Sequence, residues 1–129
     1  MYRVGVKGSF QARHFLNGDF EDETTPHSHA YTVDWTLATQ ELDENGFSLD
    51  ISILEEVLEI VLRDLDERLL NDLEYFEFRQ ASVENTAAFL NEMLFGILEE
   101  REFPIARVVE REIKIWESET AWASYVERA

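Results

Sequence analysis

His27-Ser28-His29-Ala30-Tyr31-Thr32-Val33-Asp34-Trp35-Thr36-Leu37 alternates from end to end, with His27, His29, Tyr31, Val33, Trp35 and Leu37 on one parity and small or polar residues on the other. Side chains of a strand point alternately to its two faces, so this period of two predicts a half-buried strand. It also puts two imidazoles at the start of the strand, on the face that carries the apolar residues. The strand is expected to run from His27 to Leu42.

The same pattern precedes it. From Tyr2 to His14 the residues Val4, Val6, Gly8, Phe10 and Ala12 share one parity, and His14 continues that face at the strand's end. Residues 15–26 combine Asn-Gly, several acids and a Pro, the composition of a loop. On the other side, Asp43-Glu44-Asn45-Gly46 supplies a turn, after which Asp50 or Ser52 can cap a helix expected over Ile53 to Glu67. Its Leu54, Val57, Leu58, Val61, Leu62 and Leu65 recur at steps of three and four and form one broad stripe. Ser82 caps a second helix, expected over Glu84 to Glu100, with Ala88, Leu90, Met93, Leu94 and Ile97 as its stripe.

Past Pro104, Val109, Ile113 and Ile115 alternate with Glu110, Glu112 and Lys114, and Trp122 to Val126 forms a last apolar strand. The order β-β-α-α-β-β predicts an α+β fold, a four-stranded antiparallel sheet with two helices on one face. Nothing divides the chain, so residues 1–129 are expected to form a single domain. Such a sheet leaves two free edges, which predicts a homo-oligomer.

Composition narrows the function. The absence of cysteine excludes disulfides, thiolate metal sites and a cysteine nucleophile. A net charge of -17, from 28 acidic and 11 basic residues, opposes contact with nucleic acid or an anionic membrane. The first residues lack a secretory apolar region and no apolar run is long enough to span a bilayer, so the protein is expected in the cytoplasm.

The three histidines carry the chemistry. Residues two apart on a strand can reach one ion, which gives His27 and His29 as a pair, and a short loop returns the chain from His14 to His27. Three imidazoles with a fourth position left open to water or substrate is the arrangement of a catalytic zinc site. Zinc is therefore the expected cofactor.

At this level of detail the chain resembles the 6-pyruvoyl-tetrahydropterin synthase and 6-carboxytetrahydropterin synthase family. Phe10-Gln11-Ala12-Arg13-His14 is similar to that family's Phe-x-Ala-x-His strand end, and His27-Ser28-His29-Ala30-Tyr31 to its His-Gly-His-Asn-aromatic segment. Leu49-Asp50-Ile51, Leu65-Asp66-Glu67-Arg68-Leu69-Leu70-Asn71 and Ser82-Val83-Glu84-Asn85 follow in the family's order. Trp116-Glu117-Ser118-Glu119-Thr120-Ala121 with Tyr125 resembles its Trp-Glu-Thr segment.

The resemblance implies the tunnelling fold, in which subunits close a barrel as trimers that pair into hexamers with active sites at the seams. It implies zinc on His14, His27 and His29, a small-molecule pterin gripped by Glu117, and a lyase that eliminates triphosphate from dihydroneopterin triphosphate or a related pterin. Glu117 suits that role because a carboxylate accepts two parallel hydrogen bonds from a pterin's amino and ring N–H groups.

The chain also departs from the family pattern. Glu23 stands where the family's base is usually a cysteine, four positions before His27. One branch of the family carries glutamate there and makes 6-hydroxymethyl-dihydropterin. Asp66-Glu67 stands where the family has Asp-His, and Ser28 and Ala30 replace its Gly and Asn. The proton-transfer set is therefore expected to be Glu23, Asp66 and Glu67. The alternative is a member that binds zinc and a pterin-like ligand without turnover. The altered residues are those that steer the product, so pyruvoyl, carboxy and hydroxymethyl pterins stay open.

Overall fold

The computed structural model describes residues 1–129 as β1 (Tyr2–His14), β2 (His27–Thr39), α1 (Ile51–Leu65), α2 (Val83–Glu100), β3 (Val108–Trp116) and β4 (Trp122–Arg128). The strands form one antiparallel sheet in the order β1-β2-β3-β4. This is the architecture the sequence predicts. β1 and β2 pair in register along their whole length, from Tyr2 opposite Thr39 to His14 opposite His27. The histidine-bearing strand ends therefore lie side by side.

The even residues of β1 and the odd residues of β2 turn to one face, where Phe10, Tyr31, Val33, Trp35, Ile113 and Ile115 are buried beneath the helices. α1 lies on β1, and α2 lies on β3 and β4. At Gly8 the contact is close enough that a Cβ would stand 2.7 Å from Leu62 Cδ1, so a side chain there would displace that methyl group. The other face has no helix on it. Its charges are cross-linked between strands by Arg3 and Arg128 on Glu110, at 3.0 and 2.8 Å, and by Lys7 near Asp34 at 3.7 Å.

Several boundaries differ from the sequence reading, each for a local reason. α1 starts at Ile51 because the Asp50 carboxylate accepts the Ser52 N–H at 3.0 Å, which makes Asp50 the cap. The helix stops at Leu65, short of Glu67. Asp66 leaves the helical region, Glu67 has φ +66°, and the chain turns to run beside the end of β1. There the Asp66 carboxylate accepts the Gln11 N–H at 2.7 Å, Glu67 N–H donates to the Gln11 carbonyl at 2.6 Å, and Arg13 N–H donates to the Arg68 carbonyl at 2.9 Å.

β2 ends at Thr39, where the register shifts against β3, and the Thr39 hydroxyl turns to Ser48 Oγ at 2.7 Å. In α2 the Ser82 cap is as expected, its hydroxyl accepting the Asn85 N–H at 3.1 Å. Its buried stripe is rotated, however. Thr86, Ala87, Leu90, Leu94 and Leu98 face inward, whereas Met93 is exposed and Ala88 and Ile97 are half-buried. Thr86 is buried at little cost because its hydroxyl donates to the Ser82 carbonyl at 2.7 Å within the helix. Met93 and Ile97 line a shallow apolar groove with Ile60 of α1. No helix is long and apolar enough to cross a membrane.

Candidate metal and ligand site

The paired ends of β1 and β2 bring His14, His27 and His29 into one cluster, with ring centroids 4.4 to 5.0 Å apart. Each offers a ring nitrogen, and these three atoms lie within 4.8 Å of one another. His14 Nδ1 sits 2.7 Å from the Ala81 carbonyl and His27 Nδ1 2.8 Å from the Thr25 carbonyl. A carbonyl oxygen only accepts, so each Nδ1 carries the proton and each Nε2 is left with a lone pair.

Nε2 of all three histidines is buried without a hydrogen-bond partner. An unsatisfied buried polar atom costs about 1–3 kcal/mol, and three converging on one point are relieved together by a shared cation. Burial of His14 holds its imidazole below the ordinary range. The neighbouring His27 and His29 push the same way, while the Ala81 carbonyl and Glu117 oppose. A ring kept neutral near pH 7 is ready to ligate. Three neutral nitrogens on one small volume fit a divalent cation with a position to spare.

Two carboxylates flank the cluster. Glu23 Oε2 is 3.0 Å from His27 Nε2 but lies off its hydrogen-bonding direction, and Glu117 Oε1 is 4.0 Å from His29 Nε2. The 15–26 loop that carries Glu23 is tied down at its base, where Leu16 N–H donates to the Glu23 carbonyl at 2.7 Å. Asn71 acts like a peptide group toward Phe15, accepting its N–H and donating to its carbonyl, each at 3.0 Å. Gln80 does the same to Asn17, at 2.7 and 2.8 Å. Glu117 follows β3 in a tight bend, its N–H donating to the Ala121 carbonyl at 3.0 Å.

Next along the histidine face, Tyr31 is buried, and its hydroxyl has no partner. Burial, then Glu117 and Glu23, push that hydroxyl well above the usual phenol range. Its parity with His27 and His29 was a sequence signal that could have added it to the site. The Ala81 and Thr25 carbonyls, being backbone, left no such signal.

Asp66 and Glu67 lie elsewhere in the chain. Both are exposed at the outer edge of β1, and Asp66 borders a surface groove with Lys7, Ser9, Glu55, Glu59 and Arg63. The only carboxylates within ion-pair distance of the histidines are Glu23 and Glu117. Within one chain the predicted site residues therefore divide into a cluster of five and a separate pair.

Comparison with known proteins points in one direction. The family model described as 6-pyruvoyl tetrahydropterin synthase matches residues 3–128. The 6-carboxy-5,6,7,8-tetrahydropterin synthase of Bacillus subtilis is 44% identical over 50 residues, 39% of this chain and 32% of that protein, so the match spans about a third of the relative's length. Among solved structures, the Plasmodium vivax 6-pyruvoyltetrahydropterin synthase superposes with a TM-score of 0.83 at 17% identity, over 99% of this chain and 98% of that one. A variant of that enzyme in which a catalytic glutamate is replaced by cysteine superposes with a TM-score of 0.81. The Caenorhabditis elegans 6-pyruvoyl tetrahydropterin synthase gives a TM-score of 0.81 at 22% identity, over 96% of this chain and 94% of that one. At these identities the superpositions establish the fold.

Proposed function

The chain belongs to the 6-pyruvoyl tetrahydropterin synthase family, and from that premise we propose that it is a zinc-dependent lyase acting on dihydroneopterin triphosphate or a related pterin. The observation that carries the proposal is the convergence of three buried, unpartnered imidazole nitrogens, two of them fixed as lone-pair donors by backbone carbonyls. His14, His27 and His29 hold the metal. When bound, zinc supplies a Lewis acid that makes a ligand oxygen more acidic.

The chain's own residues do the rest. Glu117 accepts the amino and ring N–H groups of the pterin and so fixes its orientation beside the histidines. Glu23, held against His27 by its anchored loop, removes a proton from the pterin side chain. The vivax enzyme, whose catalytic residue is a glutamate, supports this reading of Glu23. Asp66 and Glu67, at the free edge of β1, would serve the site of an adjoining copy in a trimer or hexamer whose seams lie along the β1 and β4 edges.

One observation favours the second reading, a zinc- and pterin-binding protein without turnover: the Asp66 carboxylate is already committed to the Gln11 N–H. A single experiment separates the two. Zinc-loaded protein given dihydroneopterin triphosphate is expected to release triphosphate and change the pterin absorbance, and His14→Ala is expected to abolish stoichiometric zinc retention. Pterin binding with neither triphosphate release nor a change in pterin absorbance would establish the second reading. Failure to retain zinc after dialysis would overturn both.

A further inference from the structure

Tyr31 is a large side chain with 1% exposure, and its hydroxyl is buried and unpartnered. Packing accounts for the ring and not for the oxygen. The ring stacks on Phe10 at 5.0 Å and 23°, and it meets the rings of His29 and His14 at 5.5 and 6.1 Å. A phenylalanine would make all of these contacts. The ring contacts to His29 and His14 put this side chain in the same buried cluster as the three bare nitrogens. A buried polar atom that costs stability and adds nothing to packing calls for a partner beyond the protein's own groups.

Resting on the reading that this pocket takes a pterin, we infer that the Tyr31 hydroxyl is a binding donor of the site, hydrogen-bonding an oxygen on the side chain of the bound pterin. The position selects the side chain. The ring end of a pterin is claimed by Glu117, while Tyr31 stands against the metal-holding His14 and His29, where the substituent must lie. The surroundings select a donor's role. With two carboxylates already present as acceptors, a side-chain oxygen turning anionic as its proton leaves needs an O–H to face it.

The test compares Tyr31→Phe with wild type in zinc-loaded form, using neopterin, whose side chain carries hydroxyls, and pterin, which has no side chain. Tyr31→Phe should keep one zinc per chain, melt at the same or a higher temperature because a buried orphan is gone, and bind neopterin roughly 3- to 10-fold more weakly, the worth of one neutral hydrogen bond. Its affinity for pterin should not change. Equal neopterin binding by both proteins would overturn the inference and leave the proposed function standing. An equal loss for both ligands, or a lower melting temperature, would make the hydroxyl structural and also overturn it. If wild type binds neither ligand, the proposed function fails and the inference with it.

Discussion

The loops at 15–26 and 40–50 are written in nearly the same alphabet and do opposite things. Each contains an Asn-Gly pair with the glycine at positive φ, +122° at Gly18 and +87° at Gly46, and each is rich in acids. In the second, Asp43 turns back on its own loop. Its carboxylate accepts the N–H groups of Asn45 and Phe47, both at 2.9 Å, and its backbone bonds Phe47 and Gly46. In the first, residues 20–25 close through backbone bonds, Glu23 N–H to Phe20 and Thr25 N–H to Asp22, while the side chains of Asn71 and Gln80 hold Phe15 and Asn17 from outside. The Glu23 carboxylate is not used on that backbone and stands beside His27. The difference lies in the carboxylates: Asp43 spends its own on its loop's backbone, and Glu23 directs its own toward the histidines.

The sharpest way to break this contrast is to neutralise one acid in each loop. Glu23→Gln should lower turnover about 10²- to 10⁴-fold, the usual worth of a general base, with an unchanged melting temperature. Asp43→Asn should leave turnover alone. Steady-state rates and thermal melts on both variants decide the matter, and a Glu23→Gln protein with near wild-type turnover would remove Glu23 from the mechanism.

A smaller effect is expected where the first loop is fastened. Asn71→Ala removes two partly buried hydrogen bonds to Phe15 and should cost about 1–2 kcal/mol in urea unfolding. Because the anchor positions Glu23, kcat should fall as well while zinc stoichiometry holds. If stability drops and kcat does not, the anchor serves the fold alone and Glu23 is placed by something else.

The strands and the histidine cluster were legible in the sequence because period two is a local signal: the parity of Val4 to His14 and of His27 to Leu37 fixes which side chains share a face. The rest depended on partners distant in the chain. Asp66 and Glu67 could be read from their motif as proton-transfer residues, yet their local setting comes from Gln11 and Arg13, more than fifty residues earlier, which draw residues 66–69 onto the β1 edge. The stripe of α2 was misaligned for a chemical reason. A hydrophobic reading passes over Thr86 and Asn91, which are buried, and selects Met93, which is not. Helix burial is decided by the sheet beneath, and a polar residue can take part, as Thr86 does by bonding within the helix.

The smallest expected effect lies in the self-closed loop and is visible through pH. The Phe47 N–H holds the Asp43 carboxyl below the usual carboxylate range, against an opposing effect of desolvation and with help from Asn45, Arg107 and Gly46. A carboxyl depressed on folding stabilises the native state above its unfolded pKa, and that contribution is lost as pH falls through its folded value. The window therefore lies below pH 3.8, the ordinary value for this group. Thermal melts of wild type and Asp43→Asn from pH 6 to pH 3 should show wild type slightly the more stable at pH 6, with the gap closing below pH 3.8. A gap that stays constant from pH 6 to pH 3 would mean that the Asp43 carboxylate does not hold its own loop, and the distinction between the two loops would fall.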